Sequence, residues 1–272
     1  MKKSYAVAGI MILAAVLLVL PVGAKAEMYV EAYLGGNFAG DASYRTTVNA
    51  PVIAGHLSGR LPGHVQPAVL GGLKIGTWFV KEGFLGYNYP EWMKYFGFYL
   101  DFCYHRLDLK QGNFNFGVFP GNVFSNNLNA NLETEGTAAT LAFMFAARYG
   151  FFKDSEVPFG RLQPYIAVGP AILWSTQDPT VDFFALNTSR NIGQFSGGPR
   201  SSTDIALAVE AGLRYMALKN VSLDLTFKYR WANPSYTFSG AVSNTGGFAP
   251  VTFKYEPTYN LFSFQLGAAY HF

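Results

Sequence analysis

The stretch Val221-Ser222-Leu223-Asp224-Leu225-Thr226-Phe227-Lys228-Tyr229-Arg230-Trp231 decides the fold. Every odd-numbered residue in it is apolar or aromatic, and every even-numbered one is polar or charged. A period of two belongs to a β-strand, and so sharp a contrast means that the two faces meet different media. The pattern recurs along the chain. Met28, Val30, Ala32 and Leu34 alternate with Tyr29, Glu31, Tyr33 and Gly35, and Val69, Leu73, Ile75 and Phe79 lie opposite Gly72, Lys74 and Gly76. Phe96, Phe98, Leu100, Phe102 and Tyr104 oppose Tyr95, Tyr99, Asp101, Cys103 and His105, while Leu141, Phe143, Phe145 and Tyr149 oppose Ala138, Ala142 and Arg148. Ile166, Val168, Ile172 and Trp174 face away from Tyr165, Ala167 and Gly169. Ile205, Leu207, Val209, Leu213 and Tyr215 face away from Ala208, Glu210 and Arg214, and Phe262, Phe264, Leu266, Tyr270 and Phe272 from Ser263, Gln265, Gly267 and His271. This gives eight strands, each of at least the roughly 9–11 residues that a tilted membrane strand needs.

Which medium each face meets follows from where the charges fall. In every strand core they share a face with Gly and Ala, and the other face is nearly unbroken Leu, Ile, Val, Phe and Tyr. A water-soluble barrel would reverse this arrangement. Small and charged residues suit a narrow barrel interior, and a continuous apolar band suits lipid. Lipid cannot satisfy an open strand edge, so the sheet must close. The expected fold is therefore all-β, an eight-stranded antiparallel up-and-down transmembrane barrel. Composition agrees: only 14% of the 272 residues are charged, against about 25% in soluble domains. The aromatic share of 17% excludes a disordered chain. No apolar stretch after Ala26 reaches the length of a spanning helix.

Residues 1–26 read as a secretory signal peptide. Lys2 and Lys3 precede an apolar run from Ala6 to Leu20, and Ala24-Lys25-Ala26 supplies an A-x-A site for cleavage after Ala26. Residues 27–272 then form the barrel domain. Of the 20 basic residues, Lys2, Lys3 and Lys25 leave with the leader, so the remainder balance the 17 acidic ones. No basic footprint for nucleic acid remains.

The connections alternate in length. Those at about 39–67, 109–135, 175–203 and 232–258 are long, and those at about 81–93, 152–161 and 217–220 are short. Long loops outside and short periplasmic turns are the pattern of outer-membrane barrels. Trp78, Phe79, Phe151, Phe152, Tyr215, Tyr270 and Phe272 are expected to ring the periplasmic interface, and Tyr104, Trp174, Tyr229 and Trp231 the outer one. Ser235–Phe238 and Val251–Tyr255 alternate as well and are expected to extend the barrel above the membrane.

The last eight residues, Gln265-Leu266-Gly267-Ala268-Ala269-Tyr270-His271-Phe272, resemble the C-terminal assembly signal of bacterial outer-membrane proteins. Gln265, Gly267, Tyr270 and Phe272 fill its four specified positions. With eight strands and the Pro164–Gly169 segment, residues 27–272 resemble the small OmpA-like outer-membrane β-barrel family, without a periplasmic peptidoglycan-binding domain after Phe272. The resemblance implies the outer membrane of a bacterium, lipid and lipopolysaccharide as neighbours, and recognition of the last strand by the barrel assembly machinery. A monomer is expected. The family shares a fold and a compartment, not one activity.

The chemistry-bearing residues are those of the interior. Alternation places Glu31, Asp101, Glu210 and Asp224 there with Lys74, Arg148, Arg214, Lys228 and Arg230. An eight-stranded barrel is barely wider than its own side chains, so these charges are expected to pair. Strands six and seven join at Leu218-Lys219-Asn220, with Asn220 suited to a left-handed turn position. Setting Ala217 opposite Val221 then puts Glu210 opposite Lys228 and Arg214 opposite Asp224. Three roles stay open: a structural, surface-interacting barrel with a packed or gated lumen; a narrow porin-like channel; and a lipid A-modifying enzyme. For the last, His105 above Asp101 is the best candidate, and no serine is placed by spacing to complete a site. No cofactor is expected, and no metal site, since His56 and His64 lack neighbouring carboxylates or thiols. Cys103 cannot form an intramolecular disulfide.

Overall fold

The computed structural model describes residues 27–39, 42–50, 53–80, 89–110, 114–116, 128–185, 191–244 and 247–272. The leader assigned to residues 1–26 lies outside them. In chain order the strands are β1 (Glu27–Ala39), β2 (Ala42–Ala50), β3 (Ile53–Val65), β4 (Ala68–Trp78), β5 (Phe96–Arg106), β6 (Leu109–Lys110), β7 (Phe114–Phe116), β8 (Leu128–Arg148), β9 (Leu162–Ala185), β10 (Asn191–Ser196), β11 (Arg200–Leu218), β12 (Val221–Ala232), β13 (Tyr236–Asn244) and β14 (Gly247–His271). Eight of them close a barrel. Antiparallel pairing runs from β1 through β4, β5, β8, β9, β11, β12 and β14, and β14 pairs back onto β1 from Tyr29↔His271 to Ala39↔Leu261. Because closure leaves no edge to peel, the unheated barrel is expected to run ahead of the boiled chain on an SDS gel. Identical migration before and after boiling would contradict closure.

The lipid face follows the alternation: Val69 and Ile205 are each 80% exposed and Leu34 and Leu266 each 69%. The six remaining strands build the barrel upward. β2 and β3 continue the β1–β4 hairpin in one register, from Glu27↔Trp78 to Val48↔Leu57. β2 also pairs with the upper part of β14, and β3 with β6, which lies on β8. β13 pairs with β14 from Tyr236↔Tyr255 to Asn244↔Gly247, which extends the barrel at both segments where alternation continued. The described parts of the long connections are thus largely strand. β14 alone has 25 residues, well beyond the roughly 9–11 that a crossing takes.

In this upper section the polarity of the two faces is inverted. Leu107, Leu109, Leu132, Leu173, Val181, Tyr236, Phe238 and Tyr259 are buried inside, while Arg106, Lys110, Glu133, Glu135 and Lys254 are exposed outside. Outside the membrane the barrel wall meets water, so the apolar face turns inward as in a soluble barrel. Tyr236 donates to Ser175 Oγ at 2.6 Å, and burial pushes its hydroxyl pKa up to about 12.

At the periplasmic end, the turn between β8 and β9 is held by Asp154. Its carboxylate accepts from the Val157 N–H at 2.7 Å and the Glu156 N–H at 2.9 Å, and also from the Arg161 guanidinium. These donors, Val157 first, hold the Asp154 carboxyl below the usual carboxylate range. Phe152, 74% exposed, takes φ +57° here. Asn220 does not adopt a left-handed conformation; a register shift between Met216 and Leu218 lets the β11–β12 turn close over Lys219 and Asn220 instead.

Candidate functional site: the charged lumen

The interior of the membrane section is a ladder of charges built from side chains at every second position. Glu31, Lys74, Asp101, Arg148, Glu210, Arg214, Asp224, Lys228 and Arg230 all point inward and are buried, none more than 4% exposed. Glu210 stands directly across the β11–β12 pair from Lys228, and Arg214 from Asp224. Lys228 Nζ lies 2.8 Å from Glu210 Oε2, and Arg214 Nε donates to Asp224 Oδ1 at 2.8 Å. These contacts stay within one hairpin.

Others cross the lumen. Lys228 also binds Asp101 of β5. Lys74 of β4 donates to Glu210 Oε1 of β11 at 2.7 Å, and Arg214 of β11 reaches Glu31 Oε2 of β1 at 3.2 Å; Lys74 also lies 3.2 Å from Glu31 Oε1, its register partner on the neighbouring strand β1. Each of the carboxylates Glu31, Asp101, Glu210 and Asp224 therefore has at least one cation, and Lys74, Arg214 and Lys228 each serve two. Tyrosines fill the gaps between the charges. Tyr33 donates to Asp101 Oδ1 at 2.6 Å and Tyr165 to Glu210 Oε1 at 3.0 Å, while Tyr33, Tyr99 and Tyr165 surround the Lys74 ammonium with rings 5.2–6.0 Å away.

Glycine and alanine make this packing possible. A Cβ on Gly212 would fall 2.4 Å from Cζ of Tyr165, and one on Gly72 2.3 Å from Cζ of Tyr33. Ala138, Ala142, Ala167, Ala171, Ala206 and Ala208, on β8, β9 and β11, are buried on the same inner surface. Long side chains from the other strands occupy the room they leave. The C-terminal segment takes part as well: a Cβ on Gly267 would meet Glu31 Oε1 at 2.6 Å, and Gln265 is buried inside. Tyr270 and Phe272 point outward, packed edge to face at 5.2 Å.

Two placements differ from the sequence reading. Trp78 does not join the periplasmic girdle; it is 2% exposed inside the barrel, where the Arg148 guanidinium lies 4.1 Å from its ring and 4.0 Å from that of Phe159. Its even number in β4 gives it the inner parity of Lys74 and Gly76. Glu27, not counted among the lumen charges, is the partner of Arg148, accepting from Nη1 at 2.6 Å. Its parity with Tyr29 and Glu31 was the available signal. Together Glu27, Arg148, Trp78 and Phe159 stop the periplasmic mouth. Phe151, Phe152, Tyr215, Tyr270 and Phe272 below, and Tyr104, Trp174 and Trp231 above, are exposed at the two ends of the lipid band.

His105 is buried, but its Nδ1 faces the Arg106 carbonyl oxygen at 2.8 Å, while Asp101 is engaged by Tyr33 and Lys228. The two do not form a base–carboxylate pair. The side chains of His56 and His64 lie outside the described ones.

An inverted barrel with a charged interior and an apolar belt is the architecture of outer-membrane proteins, and comparison with known proteins agrees. Residues 12–272 match the family described as outer membrane protein beta-barrel domain. The chain belongs to that family. Among solved structures it is similar to neisserial surface protein A, at 14% identity and a TM-score of 0.36 over 90% of this chain and 97% of the other. It is also similar to the N-terminal β-barrel domain of OprF from Pseudomonas aeruginosa, at 13% identity and a TM-score of 0.32 over 91% and 100%. A third is Ail, the attachment invasion locus protein of Yersinia pestis, at 15% identity and a TM-score of 0.28 over 90% and 99%. No curated relative matches the chain. The outer membrane protein β-barrel domain family places the protein in the bacterial outer membrane.

Proposed function

We propose that this protein is a structural, surface-interacting barrel of the outer membrane whose lumen does not conduct. The observation that carries the reading is the filling of the interior: charged and aromatic side chains from seven strands meet across it, and an apolar section sits above them. Breaking into this network would strand buried charges, so the closed state is favoured over a narrow channel for small solutes. The upper barrel, polar on its outside and raised clear of the lipid, is the surface offered to the environment. Lipid A chemistry is disfavoured because His105 Nδ1 faces the Arg106 carbonyl and Asp101 is held by Tyr33 and Lys228, so the two form no base–carboxylate pair. No cofactor, nucleic-acid partner or oligomeric partner enters this reading. Export through residues 1–26, cleavage after Ala26, monomeric insertion among lipid and lipopolysaccharide, and recognition of Gln265, Gly267, Tyr270 and Phe272 by the assembly machinery complete it.

Planar-bilayer recording of the purified barrel tests the proposal. The expected record shows no stable single-channel steps. Reproducible long-lived steps would establish the porin-like alternative.

A further inference from the structure

Arg230 differs from every other cation of the lumen ladder. It is 2% exposed, yet among the described residues no carboxylate pairs with it. Nη1 contacts the Cys103 Sγ at 2.8 Å and Nη2 donates to the Asn37 amide Oδ1 at 2.7 Å, neither of them a carboxylate, and Nε has no partner. The carboxylate nearest along β5, Asp101, is taken by Lys228 and Tyr33 one step below.

The same level of the barrel holds other buried polar atoms without partners. Asn37 uses its oxygen on Arg230 and leaves Nδ2 unbonded. His105, two residues above Cys103, must donate from Nδ1 because a carbonyl can only accept, which leaves Nε2 unbonded. Thr140, paired in register with Cys103, leaves Oγ1 unbonded. Four unsatisfied polar atoms at one level are unusual in a native interior and call for an enclosed ion or water. A guanidinium removed from water without a counter-charge is the costliest of them. The level is covered above by Leu107, Tyr236 and Tyr259 and below by the ion-pair ladder, with Leu173 and Leu261 in its wall in register with Thr140 and Arg230, all buried. Whatever fills it must be small and must enter as the barrel folds.

We propose that this level encloses a small inorganic anion of halide type, held by Arg230 Nε and Asn37 Nδ2 as the counter-ion of Arg230. The test is to refold the full barrel from denaturant into detergent with sodium bromide as its only halide. The folded protein, identified by its gel shift, is then desalted into gluconate buffer and its bromide measured by X-ray fluorescence. Stoichiometric bromide in the unsubstituted barrel is expected, falling to background in Arg230→Met. Asn37→Asp is the second variant: it places a carboxylate where Nη2 already donates, so the barrel folds with its counter-charge supplied from within and retains no bromide. Folded unsubstituted barrel without bromide would overturn the proposal and leave water as the filling. So would equal retention by Asn37→Asp.

Discussion

Replacing Lys228 by Met is expected to destabilise the barrel by about 3–5 kcal/mol, because it strands two buried carboxylates. The hairpin register alone would make this a two-body matter between Lys228 and Glu210. The closed lumen makes it three-body, with Asp101 added from across the barrel. The two carboxylates are not left equally exposed to the loss. Glu210 keeps Lys74 at 2.7 Å and the Tyr165 hydroxyl at 3.0 Å, whereas Asp101 keeps only the Tyr33 hydroxyl. In the Lys228→Met background, Asp101→Asn is therefore expected to restore more stability than Glu210→Gln, which also weakens the hold on Lys74. Denaturant midpoints of the four proteins in lipid vesicles measure this. Unchanged stability of Lys228→Met, or greater rescue by Glu210→Gln, would contradict the assignment.

Gly169→Ala is expected to cost stability at the upper end of the roughly 1–3 kcal/mol typical of overpacking. A Cβ there would sit 1.9 Å from the Phe143 carbonyl oxygen and 2.8 Å from its carbon, both main-chain atoms of β8 that no rotamer change can move. Relief requires β8 and β9 to part. The ladder has little to spare at this point, since the pairs Ala142↔Ala171 and Phe145↔Val168 flank it and Pro170 has no N–H to donate. Alanine itself is not the difficulty, because Ala167 and Ala171 are buried on the same inner face. Folding yield and denaturant midpoint in vesicles report the effect, and values equal to those of the unsubstituted barrel would remove Gly169 from the account.

The eight crossing strands and the face each residue takes were legible in the sequence because lipid and lumen impose opposite demands on alternate positions. The local pairs Glu210 with Lys228 and Arg214 with Asp224 followed from one short turn. What lay beyond reach were contacts between strands that are not neighbours. Lys228 with Asp101, Lys74 with Glu210 and Arg148 with Glu27 depend on which levels face each other once the barrel has closed, and no hairpin register carries that. The long connections were read only in part for a different reason: their alternation persists with the polarity inverted, so a search for outward apolar residues passes over β6 and the top of β8. Trp78 shows the reverse error, an aromatic at a strand end assigned by its type when its parity already placed it inside.

The central claim is a lumen with no path for water through it, and the chain carries its own reporter. Cys103, its only cysteine, is 2% exposed at the inner face of β5 beside Arg230. A small charged methanethiosulfonate added to the folded barrel in vesicles, followed by mass spectrometry, reads whether water reaches that depth. No labelling of Cys103 is expected while the barrel is folded, and complete labelling once it is unfolded. Rapid labelling of the folded barrel would show an open lumen and contradict the claim.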